Sequence, residues 1–236
     1  MRFVVPLAFL LAACSTAPQA EKPAITVYAD SALTEAFTKI GTEFEAAQGV
    51  RVKFVFGSSS ALEKQIDSHV DVYASASPET MKHPSKVFAL NRLVIATRPG
   101  GPKDVAPRLD GTQPSFAMCV AAAPCGAAAL AAFSENGFGA AMPQPKATGQ
   151  DVKETLAKVK AGEVDAAIVY ATDVKANPDL TAHKLGASEP GEQWAKAMLK
   201  FPISVVSGTP DAKKFYDYVF SRPGRIALSD AGFELP

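Results

Sequence analysis

The sequence predicts an α/β fold, and three observations carry that expectation. Short β-rich runs alternate with amphipathic segments along the chain, one run is apolar at every position, and glycine and proline punctuate the hand-overs. Residues 25–29 (Ile-Thr-Val-Tyr-Ala) read as a first strand, and 33–48 has helical spacing with Leu33, Phe37, Ile40 and Phe44 on one face. Gly49 stops that helix, and 50–56 alternates as a second strand. Ser58-Ser59-Ser60 opens a helix carrying Leu62 and Ile66, and 71–75 is the next strand. A further strand over 92–97 ends at the breaker Pro99-Gly100-Gly101-Pro102.

The second half repeats the alternation. A strand is expected over 116–120, a turn at Pro124-Cys125-Gly126 and a helix over 127–133. Residues 151–161 form an amphipathic helix with Val152, Leu156 and Val159 inward. The run Ala166-Ala167-Ile168-Val169-Tyr170 is apolar throughout, as in a strand buried on both faces of a parallel sheet. A strand over 201–206 and a helix over 212–220 complete the series. Such alternation implies right-handed crossovers.

Composition narrows the function. Lys plus Arg number 24 and Asp plus Glu 24, so the formal charge is zero, and 47% of the 236 residues are hydrophobic. The chain can bury a proper core, and it carries no basic stripe able to grip nucleic acid. The N-terminus sets the expected compartment. Arg2 precedes the apolar stretch 3–11, and Leu11-Ala12-Ala13-Cys14 has the form of a lipoprotein cleavage site. Residues 1–13 are therefore expected to be a signal peptide, Cys14 the lipidated residue, and 14–23 a polar tether. An extracytoplasmic protein held to the membrane by its lipid follows. The remaining cysteines, Cys119 and Cys125, form an even pair, either a local disulfide of an oxidising compartment or two buried thiols.

Four expected strand-to-helix junctions carry small or hydroxyl residues: Asp30-Ser31-Ala32, Gly57-Ser58-Ser59-Ser60, Pro124-Cys125-Gly126 and Gly149-Gln150-Asp151-Val152. Helix N-termini expose unpaired N–H groups and partial positive charge, and several converging together can hold a dianion without a formal cation. Each junction taken alone reads first as ordinary helix capping.

In order along the chain, these segments resemble the periplasmic molybdate-binding proteins that feed ABC transporters, especially lipoprotein members from actinobacteria. The resemblance rests on Ile25-Thr26-Val27-Tyr28-Ala29, Leu33-Thr34-Glu35-Ala36-Phe37 and Phe56-Gly57-Ser58-Ser59-Ser60-Ala61-Leu62. It continues through Asp71-Val72-Tyr73-Ala74-Ser75-Ala76, Asn91-Arg92-Leu93-Val94-Ile95-Ala96 and Pro124-Cys125-Gly126-Ala127-Ala128. Asp165-Ala166-Ala167-Ile168-Val169-Tyr170-Ala171-Thr172-Asp173 and Asp230-Ala231-Gly232-Phe233 complete it.

The resemblance implies a two-lobed fold of the type II periplasmic-binding-protein kind. Lobe 1 would combine 24–92 with 203–236, and lobe 2 would hold 93–202. A monomer would close on molybdate or tungstate and present the closed form to a permease. No cofactor and no protein-coordinated metal are implied, because the family grips the oxyanion with hydroxyls and amides. Carried over, the ligand set is Ser31 or the Ala32 amide in the first loop, the Ser59 hydroxyl, the Cys125 and Val152 amides, and the Tyr170 phenol. Tyr170 stands at the end of a buried strand, where core packing is its other reading. Ala32 departs from the family, which has serine there; Ser31 either replaces that hydroxyl or caps the helix. Asp30 is expected to point away from a dianion and cap.

Sulfate, phosphate or another oxyanion is the nearest alternative cargo. A serine hydrolase is the alternative from another class, but Gly57-Ser58-Ser59-Ser60-Ala61 is not G-x-S-x-G, and His69, His83 and His183 fall in no motif. The expectation is a binding protein and not an enzyme.

Overall fold

β1 (Ala24–Asp30) lies between β2 (Arg51–Gly57) and β3 (Val72–Ala74), parallel to both. Beyond β3 follow β10 (Leu199–Val205) and then β4 (Lys86–Asn91), with β10 antiparallel to each. These five strands form the first sheet, in the order β2-β1-β3-β10-β4. The second sheet has the order β7-β6-β8-β5-β9. There β6 (Phe116–Cys119) runs parallel to β7 (Ala147–Gly149) and β8 (Ala166–Tyr170), while β5 (Leu93–Thr97) is antiparallel to β8 and β9 (Thr181–Lys184). The computed structural model describes residues 23–105, 112–135, 142–185 and 198–236. The expected signal peptide, Cys14 and all but the last residue of the expected tether lie outside them. No helix of the described residues is long and apolar enough to cross a membrane.

The first lobe is organised around phenylalanine. Helix α1 (Thr34–Gln48) buries Ala36, Phe37, Ile40, Gly41 and Phe44, and Gly49 ends it in the left-handed region at φ 70°. The Phe37 ring lies 5.6 Å from Phe88 and 6.1 Å from both Phe54 and Phe215. Each such side chain contributes about 1.5–3 kcal/mol by leaving water. Gly41 lets the helix approach β2, since a Cβ there would sit 2.5 Å from the Phe54 ring.

The chain passes between lobes at Arg92, the single residue separating β4 from β5. It returns between Lys184 and Leu199. The expected boundary at residue 203 therefore needs correction, because all seven residues of β10 belong to the first sheet. Leu199 pairs with Asn91 and Ile203 with Lys86, through an irregularity at Phe201/Pro202. Proline donates nothing to a ladder, so Pro202 interrupts the pairing, although its carbonyl still accepts from the Ser75 amide at 2.9 Å. The lobes are held at this seam by Tyr170 packed edge-on to Phe201, with centroids 5.5 Å apart, and by Asn91 Nδ2 donating to Thr172 Oγ1 at 2.9 Å.

Beside the expected elements the structure has β4, β7 and β9, a short α5 (Ala171–Lys175) and α7 (Arg222–Ala231). The expected turn at Pro124-Cys125-Gly126 is already helical. There α3 runs Pro124–Glu135, with proline at the first position, where an N–H has no partner to lose. The helices α2 (Ser59–Glu63), α4 (Val152–Lys160) and α6 (Pro210–Phe220) fall where expected, α2 stopping short of Ile66.

Candidate functional site

Strands β1, β2, β6, β7 and β8 each end in a junction that leads into helix. A 3-10 turn, Ser31–Leu33, follows β1, and α4 of the second lobe packs against it. The junctions after β1 and β2 are bonded to one another through Asp30 and Ser59. Those after β6 and β7 are joined by the Val120 amide donating to Gly149 O at 2.9 Å and by Thr155 Oγ1 on Cys119 Sγ at 3.4 Å. A cleft of about 350 Å³ separates Ala76, Ser77 and Glu79 of the first lobe from Pro124 and Ala127 of the second.

Local chemistry explains why each junction is tight. Cys119 and Cys125 form a disulfide, with Cα atoms 5.8 Å apart, which ties the first turn of α3 to the end of β6. It fixes the position of the Cys125 amide. Gly126 is required by the same approach, since a Cβ would fall 2.0 Å from Val120 O. At the next junction a Cβ on Gly149 would meet the Thr155 amide at 2.4 Å. The Asp151 carboxylate caps α4 by accepting from the Lys153 and Glu154 amides at 2.8 and 3.0 Å. The cap does not take the Val152 amide, which precedes them in the helix.

The first-lobe wall is organised by Asp30. Its side chain is 4% exposed and accepts from the Ala32 amide at 3.1 Å, the Ser59 amide at 3.1 Å and the Ser59 hydroxyl at 2.5 Å. Ser59 Oγ in turn accepts from the Ala76 amide at 3.0 Å, and the Tyr73 phenol donates to Ser59 O at 2.8 Å. Asp30 does cap Ala32, but the expectation that it points away is corrected. The donors expected for a ligand are the ones that carboxylate needs once it is taken out of water. Burial, with a smaller contribution from the Asp151 charge, raises the Asp30 carboxyl to a pKa of about 6 despite those three bonds.

Two other expected residues are conspicuous for having no partner. The buried hydroxyls of Ser31 and Tyr170 make no hydrogen bond, a state shared among the described residues' hydroxyls with Ser204 inside β10. Ser31 therefore does not cap with its hydroxyl; Asp30 does. Tyr170 has its amide on Asp173 Oδ2 at 3.0 Å while its phenol is left over. Burial pushes that phenol well above its usual pKa, with the Asp30 charge adding to the effect. A buried hydroxyl without a partner costs about 1–3 kcal/mol, so each of these two calls for an explanation.

Lys153 and Asp173 were not legible as site residues. Lys153 Nζ bonds both Glu35 oxygens at 2.7 and 2.9 Å and Asp173 Oδ1 at 2.9 Å. Asp173 is fully buried; desolvation raises its pKa to about 6, opposed by Lys153. No sequence motif marks a lysine that closes on two lobes. The histidines lie elsewhere: His69 pairs with Asp67 at the surface, and His183 contacts Thr97 Oγ1 at 2.9 Å. Among the described residues no group of His, Cys, Asp and Glu is placed to hold a metal ion.

Two α/β lobes joined by two crossings, with donors gathered at their strand ends, define the class of extracytoplasmic solute-binding folds. Residues 25–234 match the family model described as bacterial extracellular solute-binding protein, and the chain belongs to that family. It is 31% identical to the molybdate-binding protein ModA of Mycobacterium tuberculosis, over 96% of this chain and 93% of that relative. It is 28% identical to ModA of Escherichia coli, over 85% of this chain and 84% of that one. The periplasmic molybdate-binding protein of Azotobacter vinelandii superposes with a TM-score of 0.70 at 16% identity, covering 90% of this chain and 99% of that structure. The family's members bind solutes rather than transform them.

Proposed function

We propose that this chain captures molybdate or tungstate between its lobes and delivers it to an ABC transporter permease. The observation that carries the reading is the pair of buried, unpartnered hydroxyls on Ser31 and Tyr170, one from each lobe. The names of its relatives support the identity of the cargo. The donor set is the Ser31 and Ser59 hydroxyls, the Ala32, Cys125 and Val152 amides, and the Tyr170 phenol. All are neutral and aimed by rigid junctions, which suits a tetrahedral dianion. Lobe closure completes the set and creates the surface a permease recognises. Cavity size discriminates against sulfate, whose charge and shape are the same but whose bonds are shorter. The protein works as a monomer without cofactor, exported by residues 1–13 and anchored through lipid on Cys14, with 14–23 as tether.

The test is calorimetry and thermal melting of the delipidated mature chain against molybdate, tungstate, sulfate and phosphate. Molybdate at one hundred times its Kd should stabilise the fold by about 2.7 kcal/mol. Absence of response to molybdate and tungstate, or a tighter response to sulfate or phosphate, would reject the assignment.

A further inference from the structure

We infer that Asp30 is the specificity-determining residue of the proposed anion site and that it couples anion capture to uptake of one proton. The inference rests on the oxyanion reading above and concerns the same site. Its observation is that three of the proposed ligand donors, the Ala32 amide and the Ser59 amide and hydroxyl, already converge on the Asp30 carboxylate. That carboxylate thus takes donors that the anion would need. Beyond those hydrogen bonds, no cation among the described residues is paired with it. Asp151, at the cap of α4, is a second negative charge acting on it. Tyr73 from β3 and Tyr170 from β8 are neutral phenols whose pKa values its charge helps to raise. Lys153, at the start of α4, is committed to Glu35 and Asp173.

A dianion entering this space meets a buried carboxylate with no cation between them. The unfavourable contact is removed when Asp30 takes a proton from solvent. The neutral carboxyl then releases the Ala32 and Ser59 donors to the ligand and presents an O–H to one of its oxygens. The proton leaves with the anion. Protonating a carboxyl with a pKa of about 6 at pH 7 lowers affinity only about tenfold, so the site stays usable at neutral pH. An oxyanion that brings its own proton would satisfy Asp30 directly, which makes this residue the point where protonated and unprotonated cargoes are told apart.

The test is titration calorimetry of the delipidated chain with sodium molybdate, in two buffers of different ionisation enthalpy, from pH 6 to 8.5. The expected result is uptake of about one proton per anion at pH 8 and a Kd that rises about tenfold per pH unit above 7. Asp30→Asn and Asp30→Ser should take up no proton and give a Kd independent of pH. Binding by the unaltered chain with a flat Kd and no proton uptake would overturn the coupling while leaving the oxyanion reading intact. Failure of the unaltered chain and both variants to bind at any pH would reject both together. Should the variants not fold, the proton count of the unaltered chain decides alone.

Discussion

Lys153, at the start of α4 in the second lobe, grips Glu35 of α1 in the first through both carboxylate oxygens, at 2.7 and 2.9 Å. The same ammonium neutralises the fully buried Asp173. One lysine thus bridges the two lobes and neutralises a charge inside its own lobe. The two contacts differ in exposure, and so in energetic consequence.

Glu35 is half exposed, so Glu35→Gln should cost at most about 1 kcal/mol and weaken molybdate binding by less than about fivefold. Lys153→Met instead strands a buried carboxylate. It should destabilise the protein by about 3 kcal/mol at pH 7.5, and by less at pH 5, where Asp173 can take a proton. Urea unfolding at the two pH values measures both. Equal losses for the two variants would contradict the assignment.

The raised pKa of Asp30 fixes the sign of a pH effect on the ligand-free fold. Between the ordinary carboxyl value of 3.8 and about 6 the folded state holds more protons than the unfolded chain. Stability contributed by Asp30 is therefore present below pH 4, falls as pH rises to 6, and is constant above. The amplitude is about 3 kcal/mol. Asp173 titrates in the same direction over the same window. Urea midpoints from pH 4 to 7 should show the unaltered chain losing more stability on this rise than Asp30→Asn.

Tyr170→Phe should move affinity and stability in opposite directions. Removing an unpartnered buried hydroxyl should leave the ligand-free fold unchanged or up to about 1–3 kcal/mol more stable. The same change removes a donor to a charged ligand, a loss of about 1.5–3 kcal/mol, or roughly tenfold to a hundredfold in Kd. Paired melting and calorimetry decide. A loss of stability without a change in Kd would return Tyr170 to a packing role.

The Cys119–Cys125 disulfide closes a small loop, and its removal should cost about 2 kcal/mol. Because it anchors the first turn of α3, the double change Cys119→Ser and Cys125→Ser should also weaken anion binding, although neither sulfur is a ligand. Gly126→Ala, with its Cβ driven into Val120 O, should reproduce the weakened binding with the disulfide present.

The class of fold was legible because its signals are local and periodic. The face of α1 formed by Phe37, Ile40 and Phe44, the apolar run of β8, and the N-caps before α4 are written within a few residues of chain. Strands β7 and β9 are only three and four residues long, and β9 is mostly exposed, so neither carries a readable alternation. The start of β10 was hidden by Lys200 and Pro202, which its pairing with β4 overrides. Of the candidate site, the four junctions could be named from small residues at strand ends, whereas Tyr170 came only from the family resemblance.

The sequence alone determined the alternation of strand and helix, the positions of the tight junctions, and the even pair of cysteines, since each depends on neighbouring residues. Only the tertiary structure decided which groups at those junctions face one another. Asp30 and Ser59 are 29 residues apart, and Lys153 and Glu35 are 118 apart. Whether a carboxylate caps its own turn, fills a site built for an anion, or does both depends on what folding brings within 3 Å of it, and on how far folding removes it from water.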